Sequence, residues 1–376
     1  MKKRVARAVR RLGLRASAAL GIPDRLRPRD VSSVAALLFH AFFDPGEPRG
    51  RGIERLRRQL DWLRESHTPI SLRQLAAGLE GGSLPDRAVL VTADDALLDV
   101  LEVADEFRAF DVPLSVFVCA GWTASASLGA GEDLIAHAAA AIQWYEGPDI
   151  EVQLSGGGAL SLSPANKASN IDRLITQSDE LRPDLVDLCA RIENFDESPS
   201  MCCPWDALRD LARAGVGIGA HSVTHVPLSR TSAVRGRFEI AESKRLCERM
   251  LGSCDAFAYP FGMAESHSDA NRAELERAGF TIAFLTGSEF ITRRSDALTL
   301  PRIAMPDESM SLSEFRARAS GAGIAAQRLR TLLRTDEEVR VAAPAETTAD
   351  DAATGTTSLR PAPKPVRAPD ATVRAP

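Results

Sequence analysis

The chain has 376 residues, 44% of them hydrophobic, so it can bury the core of one large domain or two ordinary ones. The formal net charge of -5 argues against general nucleic-acid binding, because phosphates require a basic surface. No stretch is apolar enough for a transmembrane helix, and the six cysteines show neither a CxxC pair nor zinc-ribbon spacing, which indicates packing residues.

The N-terminal segment, residues 1–30, is strongly basic. Its first 29 residues hold ten basic side chains and a single acid, Asp24. Arginines interrupt its apolar stretch before the core of a signal peptide could form, so the sequence predicts a cytoplasmic protein. As a helix, this arm is weakly amphipathic and would suit peripheral contact with an anionic membrane surface, although a solvated arm explains the same residues.

Between residues 31 and 320, short apolar runs alternate with segments of helical periodicity. The candidate strands are 34–42, 88–93, 113–120, 216–220, 256–260, 281–286 and 297–305. The candidate helices are 53–65, 96–110, 204–215, 236–252 and 270–280. This alternation predicts an α/β fold in which β/α units surround a parallel sheet or barrel.

Two regions depart from this alternation. Residues 122–200 separate the third and fourth candidate strands and contain a glycine-rich piece typical of a hairpin. We interpret them as an insertion on the rim of the barrel, because long connections in such folds often shape the substrate cleft. Residues 321–376 begin with an amphipathic helical segment and continue as a tail rich in Ala, Thr and Pro, for which we predict disorder.

Two adjacent acids, Asp94 and Asp95, follow the candidate strand at 88–93. In α/β folds the functional groups collect where strands end at their carboxyl edge. Neighbouring side chains point in different directions there, so one carboxylate could hold a cation while the other accepts a proton. The alternative is that both acids cap the following helix, whose dipole favours negative charge.

A histidine pair follows the strand at 216–220. His221 and His225 are four residues apart, a spacing that can place two imidazoles on one ion. Together with Asp95 they would form a three-ligand site suited to zinc, and also to cobalt, nickel or iron. The cation would offset the repulsion between the acids and leave Asp94 as the general base. An Fe(II) oxygenase site is disfavoured, because its acid usually lies close in sequence to its first histidine and Asp94 would have no role.

Residues at the ends of other strands complete the candidate site. His40 closes the first strand and is the best candidate for the general acid, with a packed structural histidine as the alternative. Arg302 lies in the last strand, where it could pair with Asp94 and keep it ionised or simply be a surface cation.

The candidate strand at 256–260 ends with Tyr259 and Pro260, and Phe261 follows directly. These residues form a rigid turn that could line a substrate site. The same turn could offer a backbone N–H to an oxyanion.

Five segments in a fixed order resemble the polysaccharide deacetylases with a NodB-homology domain, also called carbohydrate esterase family 4. They are VLVTADD, GIGAHSVTHVPLS, CDAFAYPFG, GFTIAFLTG and LTLPRIAM, and the resemblance covers roughly residues 34–315 apart from the insertion. It implies a distorted (β/α) barrel and metal-dependent hydrolysis of N-acetyl, sometimes O-acetyl, groups on sugars. Matched residue by residue, it makes Asp94 the base and Asp95, His221 and His225 the metal ligands.

The sequence also departs from this family's pattern. Ala93 and Ala96 stand where the family usually has phenylalanine and glycine, and Ala258 stands where an arginine is common. The late leucine-x-histidine motif, the family's usual source of the acid, is absent after Pro301. This absence favours His40 as the acid.

The expected function is therefore removal of acetyl groups from an amino-sugar glycan or glycoconjugate, with zinc as the expected cofactor. The acetylated glycan is the expected partner, and no nucleic acid is expected. The alternative is a catalytically degenerate member that binds glycan without turnover, a reading motivated by the departures at positions 93 and 96 and by the missing late histidine.

Overall fold

The computed structural model describes residues 33–44, 46–126, 134–193, 201–306 and 310–321. The basic N-terminal arm and residues 322–376 lie outside this range, so peripheral membrane contact and C-terminal disorder stay predictions. Among the residues described, none of the helices combines the length and the apolar content that a membrane span requires.

Parallel strands form the centre of the molecule. The strands are β1 (Val34–Phe39), β2 (Thr68–Pro69), β3 (Ala88–Ala93), β4 (Leu114–Val118), β5 (Ile150–Gln153), β6 (Ala159–Leu162), β7 (Gly217–Ala220), β8 (Ala256–Ala258), β9 (Ile282–Gly287) and β10 (Leu300–Ala304). Seven of them pair in the order β1-β10-β9-β8-β7-β4-β3, and β3 pairs again with β1, so the sheet closes. The prediction of a distorted (β/α) barrel is confirmed, and all seven predicted strands belong to it.

Helices surround this barrel. They are α1 (Arg49–Ser66), α2 (Leu72–Leu79), α3 (Asp99–Ala109), α4 (Ala120–Ala126), α5 (Leu134–Trp144), α6 (Lys167–Thr176), α7 (Ser178–Leu181), α8 (Leu185–Glu193), α9 (Trp205–Arg213), α10 (Ala233–Leu251), α11 (Asp269–Ala278) and α12 (Leu312–Ala319). The five predicted helices are all present. The sequence reasoning missed α2, although the Ser71 side chain and Gln74 form a capping box at its start.

Alternation along the strands sorts their side chains into two layers. One set fills the barrel interior, for example Ala36, Leu90, Phe284 and Leu300, and the other packs against the helices. None of the six cysteines forms a disulfide and all are buried, which agrees with their interpretation as packing residues. The two layers place every second residue of a strand on the inside, and this alternation continues into the strand ends that carry the candidate site.

The predicted insertion leaves the barrel at the carboxyl end of β4 and returns before β7. Its predicted hairpin is confirmed, because β5 and β6 pair antiparallel from Ile150 opposite Leu162 to Gln153 opposite Ala159. Helices α5, α6 and α8 pack with this hairpin around an apolar cluster that is separate from the barrel core. The insertion therefore has a core of its own and begins at the edge of the barrel where the candidate site lies.

Candidate active site

Alternation brings four of the predicted site residues to one end of the barrel. Leu90 faces the interior, and Thr92 and Asp94 follow it at alternate positions. Arg302 likewise stands two residues after the interior residue Leu300. The positions of His40 and His221 continue the inward-facing sets of β1 and β7 in the same way. The carboxyl ends of these strands therefore meet at a common site.

Asp94 and Arg302 form a buried, bidentate ion pair. Arg302 is wholly buried, and its two terminal nitrogens donate to Asp94 Oδ1 at 2.6 Å and Oδ2 at 2.7 Å. Burial alone would raise the pKa of Asp94, but the charge of Arg302, then that of His221, and the Arg302 hydrogen bonds lower it to about 2. The alternative of a surface cation at position 302 is wrong, because the side chain points into the barrel.

Asp95 turns away from its neighbour because the backbone leaves the strand here. Asp95 and Ala96 adopt φ values of 70° and 51°, in the left-handed region that L-residues rarely occupy. The helix α3 begins only at Asp99, with Leu98 as its N-cap. The helix-capping alternative for the two acids is therefore wrong. The turn instead directs the Asp95 carboxylate toward the two histidines.

The carboxylate of Asp95 and the imidazoles of His221 and His225 form one cluster. Asp95 Oδ1 lies 3.6 Å from His221 Nε2 and 3.4 Å from His225 Nε2. One donor atom from each of the three residues falls within 4.8 Å of the others. This arrangement brings the three predicted ligands together, while their metal-binding role stays a prediction.

The two histidines are held neutral. His221 Nδ1 lies 2.7 Å from the carbonyl oxygen of Ala258. Because a carbonyl can only accept, Nδ1 carries the proton and the lone pair of Nε2 faces the acids. Burial lowers the pKa of both His221 and His225 to about 4, although the nearby Asp94 opposes this lowering. Neutral imidazole is the form that binds metals.

A strained turn carries the histidine pair, and Glu239 of α10 supports it. Ser222 and His225 adopt φ values of 64° and 54°, and the His225 N–H donates to Ser222 Oγ at 3.1 Å. The wholly buried Glu239 carboxylate accepts from the backbone N–H groups of Val223 at 2.9 Å and Thr224 at 2.8 Å. Sequence reasoning missed Glu239. Its signal was the position of an acid on the buried face of α10.

His40 follows β1 at the same end of the barrel and is half-buried. His40 lies close enough to the cluster to lower the pKa of His225, although burial is the largest cause of that lowering and Asp94 opposes it. The turn after His40 is held by Asp99, whose Oδ2 accepts from the Phe42 N–H at 2.6 Å. The acid role of His40 stays a prediction.

The turn after β8 meets its prediction only in part. Phe261 is 39% exposed and its ring lies 4.9 Å from that of His225, so it borders the cluster. Tyr259 is wholly buried and packs against the rings of Phe257 and His267. The expectation that Tyr259 lines the substrate site is wrong, because strand alternation turns its ring toward the helices. Pro260 is buried, and its ring restricts the backbone of the turn.

The donor set fits a divalent metal ion. Two neutral imidazole nitrogens and one carboxylate oxygen are the ligands of open, catalytic zinc sites, and cobalt, nickel and iron accept the same donors. The site also has a second acid beside the ligands, since Asp94 Oδ2 lies 3.7 Å from His221 Nε2. Three residues could hold the ion, and Asp94 would remain available for proton transfer.

The chain is similar to one family model and to several solved structures. Residues 81–283 match the family model described as polysaccharide deacetylase. Among solved structures, the Streptococcus pyogenes deacetylase PplD in complex with acetate is similar with a TM-score of 0.50 and 15% identity, over 76% of this chain and 96% of that one. A de-N-acetylase from Aggregatibacter actinomycetemcomitans has a TM-score of 0.49 and 13% identity, over 75% and 98%. No curated protein sequence matches the chain significantly.

Proposed function

The chain belongs to the polysaccharide deacetylase family, and from this premise we propose that it is a metal-dependent hydrolase that removes N-acetyl groups from an amino-sugar glycan or glycoconjugate. O-acetyl groups are the alternative target of the hydrolysis. One observation carries the proposal: the cluster of Asp95, His221 and His225 lies directly beside the Asp94–Arg302 pair. A ligand set next to a separate ionised carboxylate is what hydrolysis at an acetyl carbonyl requires.

Asp95, His221 and His225 would hold the ion, with zinc as the preferred metal and cobalt, nickel or iron as alternatives. A bound divalent ion would polarise the acetyl carbonyl and lower the pKa of water at the site. The chain's own contribution is to offer the ligand atoms already deprotonated, because burial keeps the pKa of both histidines at about 4.

In this proposal Asp94 takes the proton from the attacking water. Burial raises its pKa, but Arg302 and His221 together lower it to about 2, so Asp94 is ionised at neutral pH. Arg302 occupies one lone pair on each Asp94 oxygen and fixes the plane of the carboxylate. The remaining lone pairs are free to accept the proton.

The leaving group and the developing negative charge need groups of their own. The backbone N–H of Phe261, in a turn with φ of 63°, is the candidate donor to the oxyanion. His40 is the candidate acid that returns a proton to the departing amine nitrogen. His40 and Arg302 lie outside the residues 81–283 that match the family model, so their roles rest on the geometry alone.

Release of acetate from N-acetylated oligosaccharides by the full chain tests the proposal. We expect turnover that is abolished by a chelator and restored by zinc, and an Asp94→Asn variant that still binds the metal but no longer turns over. Glycan binding without acetate release, with or without added metal, would instead support the degenerate, glycan-binding alternative that Ala93 and Ala96 suggested.

A further inference from the structure

The two histidines of the cluster are oriented in different ways. The ring of His221 is fixed by the contact of its Nδ1 with the Ala258 carbonyl at 2.7 Å. The ring of His225 is buried, and its Nδ1 makes no hydrogen bond to any other described residue. A metal-binding imidazole normally uses this second nitrogen to fix its orientation. Another contact must therefore orient His225.

Aromatic rings supply that contact. The ring of Trp122 lies 4.9 Å from that of His225 at an interplanar angle of 31°, and the ring of Phe261 lies 4.9 Å away at 52°. Two aromatic side chains thus pack against the His225 ring. Phe261 comes from the barrel, whereas Trp122 comes from α4 at the start of the insertion. Packing against these two rings restricts rotation of the imidazole without using its nitrogens.

The position of Trp122 is itself fixed against the histidine turn. The N–H groups of Ala120 and Gly121, just before Trp122, donate to the carbonyls of Ser222 at 3.0 Å and Val223 at 2.9 Å. These two backbone hydrogen bonds hold the first turn of α4 against the residues between the two histidines.

Helix α5 of the insertion also contacts Trp122 and the histidine turn. The ring of Trp144 in α5 packs edge-on against Trp122 at 5.7 Å, and its Nε1 donates to the Thr224 carbonyl at 3.3 Å. One residue earlier, Gln143 Oε1 accepts from Arg235 at 2.6 Å, and Arg235 also donates to Thr224 Oγ1 at 3.0 Å. The insertion and the histidine turn are therefore joined by several direct contacts.

We propose that Trp122 is a positioning residue for the metal ligand His225, so that the insertion is a structural part of the metal centre and does more than border the substrate cleft. This inference rests on the proposed metal-dependent function. In His221, a hydrogen bond from Nδ1 orients the ring so that Nε2 faces the ion. In His225, packing against Trp122 would have the same effect.

Cobalt titration of the full chain tests this assignment without any substrate, since the visible absorption of bound Co(II) reports both affinity and coordination geometry. The variants are Trp122→Ala, which removes the ring, and Trp122→Phe, which keeps one. Val186→Ala is the matched control, because Val186 is a 65% exposed residue of the same insertion, on α8. Circular dichroism of the metal-free proteins establishes that each variant is folded, and Trp122→Leu replaces the alanine variant should that one fail to fold.

We expect Trp122→Ala to bind Co(II) roughly 10- to 100-fold more weakly, with an altered absorption spectrum, which is the effect of losing an orienting partner of a metal ligand. Trp122→Phe and the control should stay close to the wild type. Wild-type affinity and spectrum in folded Trp122→Ala, or in Trp122→Leu in its place, would overturn the assignment while leaving the proposed function intact. A raised KM as the only change would mean that Trp122 contacts substrate instead. A wild-type chain that binds no cobalt or zinc would overturn both proposals.

Discussion

Replacing Arg302 with methionine removes the guanidinium that faces Asp94 but keeps an unbranched side chain beside the rings of Phe117 and Phe284. In the wild type burial alone would raise the pKa of Asp94, but the charge of Arg302, then that of His221, and the Arg302 hydrogen bonds lower it from 3.8 to about 2. This net shift corresponds to about 2 kcal/mol of folding free energy. Because the folded-state pKa is lowered, this stabilisation is present above pH 3.8 and is lost as the pH falls toward 2. Without Arg302 the effect of burial is opposed only by His221 and His40, so the pKa of Asp94 should rise. A buried charge left without its partner costs about 3–5 kcal/mol, and we expect that loss at pH 7.

Urea denaturation at pH 7 measures this loss, and a double-mutant cycle with Asp94→Asn isolates the pair. In the double variant neither charge is buried, so it should be more stable than Arg302→Met alone. An Arg302→Lys variant should recover part of the stability but not the bidentate geometry, and its turnover should stay low. If Arg302→Met unfolds at the wild-type urea concentration, or if the cycle shows no coupling, the pairing that we assign to Asp94 has no energetic basis.

Three further predictions concern other residues of the site. His40→Asn should lower kcat by about 10²- to 10⁴-fold without changing zinc affinity, as expected for a general acid, and a loss of zinc affinity alone would assign His40 a structural role. Ala96→Gly should raise the free energy of unfolding by about 1 kcal/mol in urea denaturation, because the φ of 51° costs alanine but not glycine, and a less stable variant would contradict this. The metal-free protein should lose stability as the pH falls from 6.5 toward 4, since the pKa of the buried His221 and His225 is lowered to about 4, equivalent to about 3 kcal/mol for each. The unfolded chain takes up these protons first, so thermal unfolding in a chelator should show a falling midpoint across this range, and a constant midpoint would refute the burial argument.

Hydrophobic runs and strand alternation were sufficient to predict the barrel. Each predicted strand is present, and several are shorter at their carboxyl ends because the chain there turns into the site, as after Phe39 and Ala258. Strand β2 has only two residues, too few to show a hydrophobic pattern in the sequence. The same alternation could have corrected one error: counting in steps of two from the interior residues Ala256 and Ala258 assigns Tyr259 to the outer face.

The residues that support the site could not be predicted in the same way. Arg302 lies 208 positions from Asp94, and only the closure of the barrel between β10, β1 and β3 brings them together. In the sequence Glu239 resembles a surface acid of a charged helix. In the fold it is buried and accepts a hydrogen bond from the histidine turn. Trp122 acts across the boundary between the insertion and the barrel. Such contacts depend on tertiary packing, which single-sequence patterns do not encode.

The most direct test compares the two adjacent acids. Equilibrium dialysis of the full chain against zinc should find one ion per chain. Asp95→Asn should lower the affinity by more than about 100-fold, because it removes a ligand, whereas Asp94→Asn should retain the ion and lose only turnover. Equal zinc binding by the two variants, or a wild-type chain that takes up no zinc, would contradict the division of roles between Asp94 and Asp95.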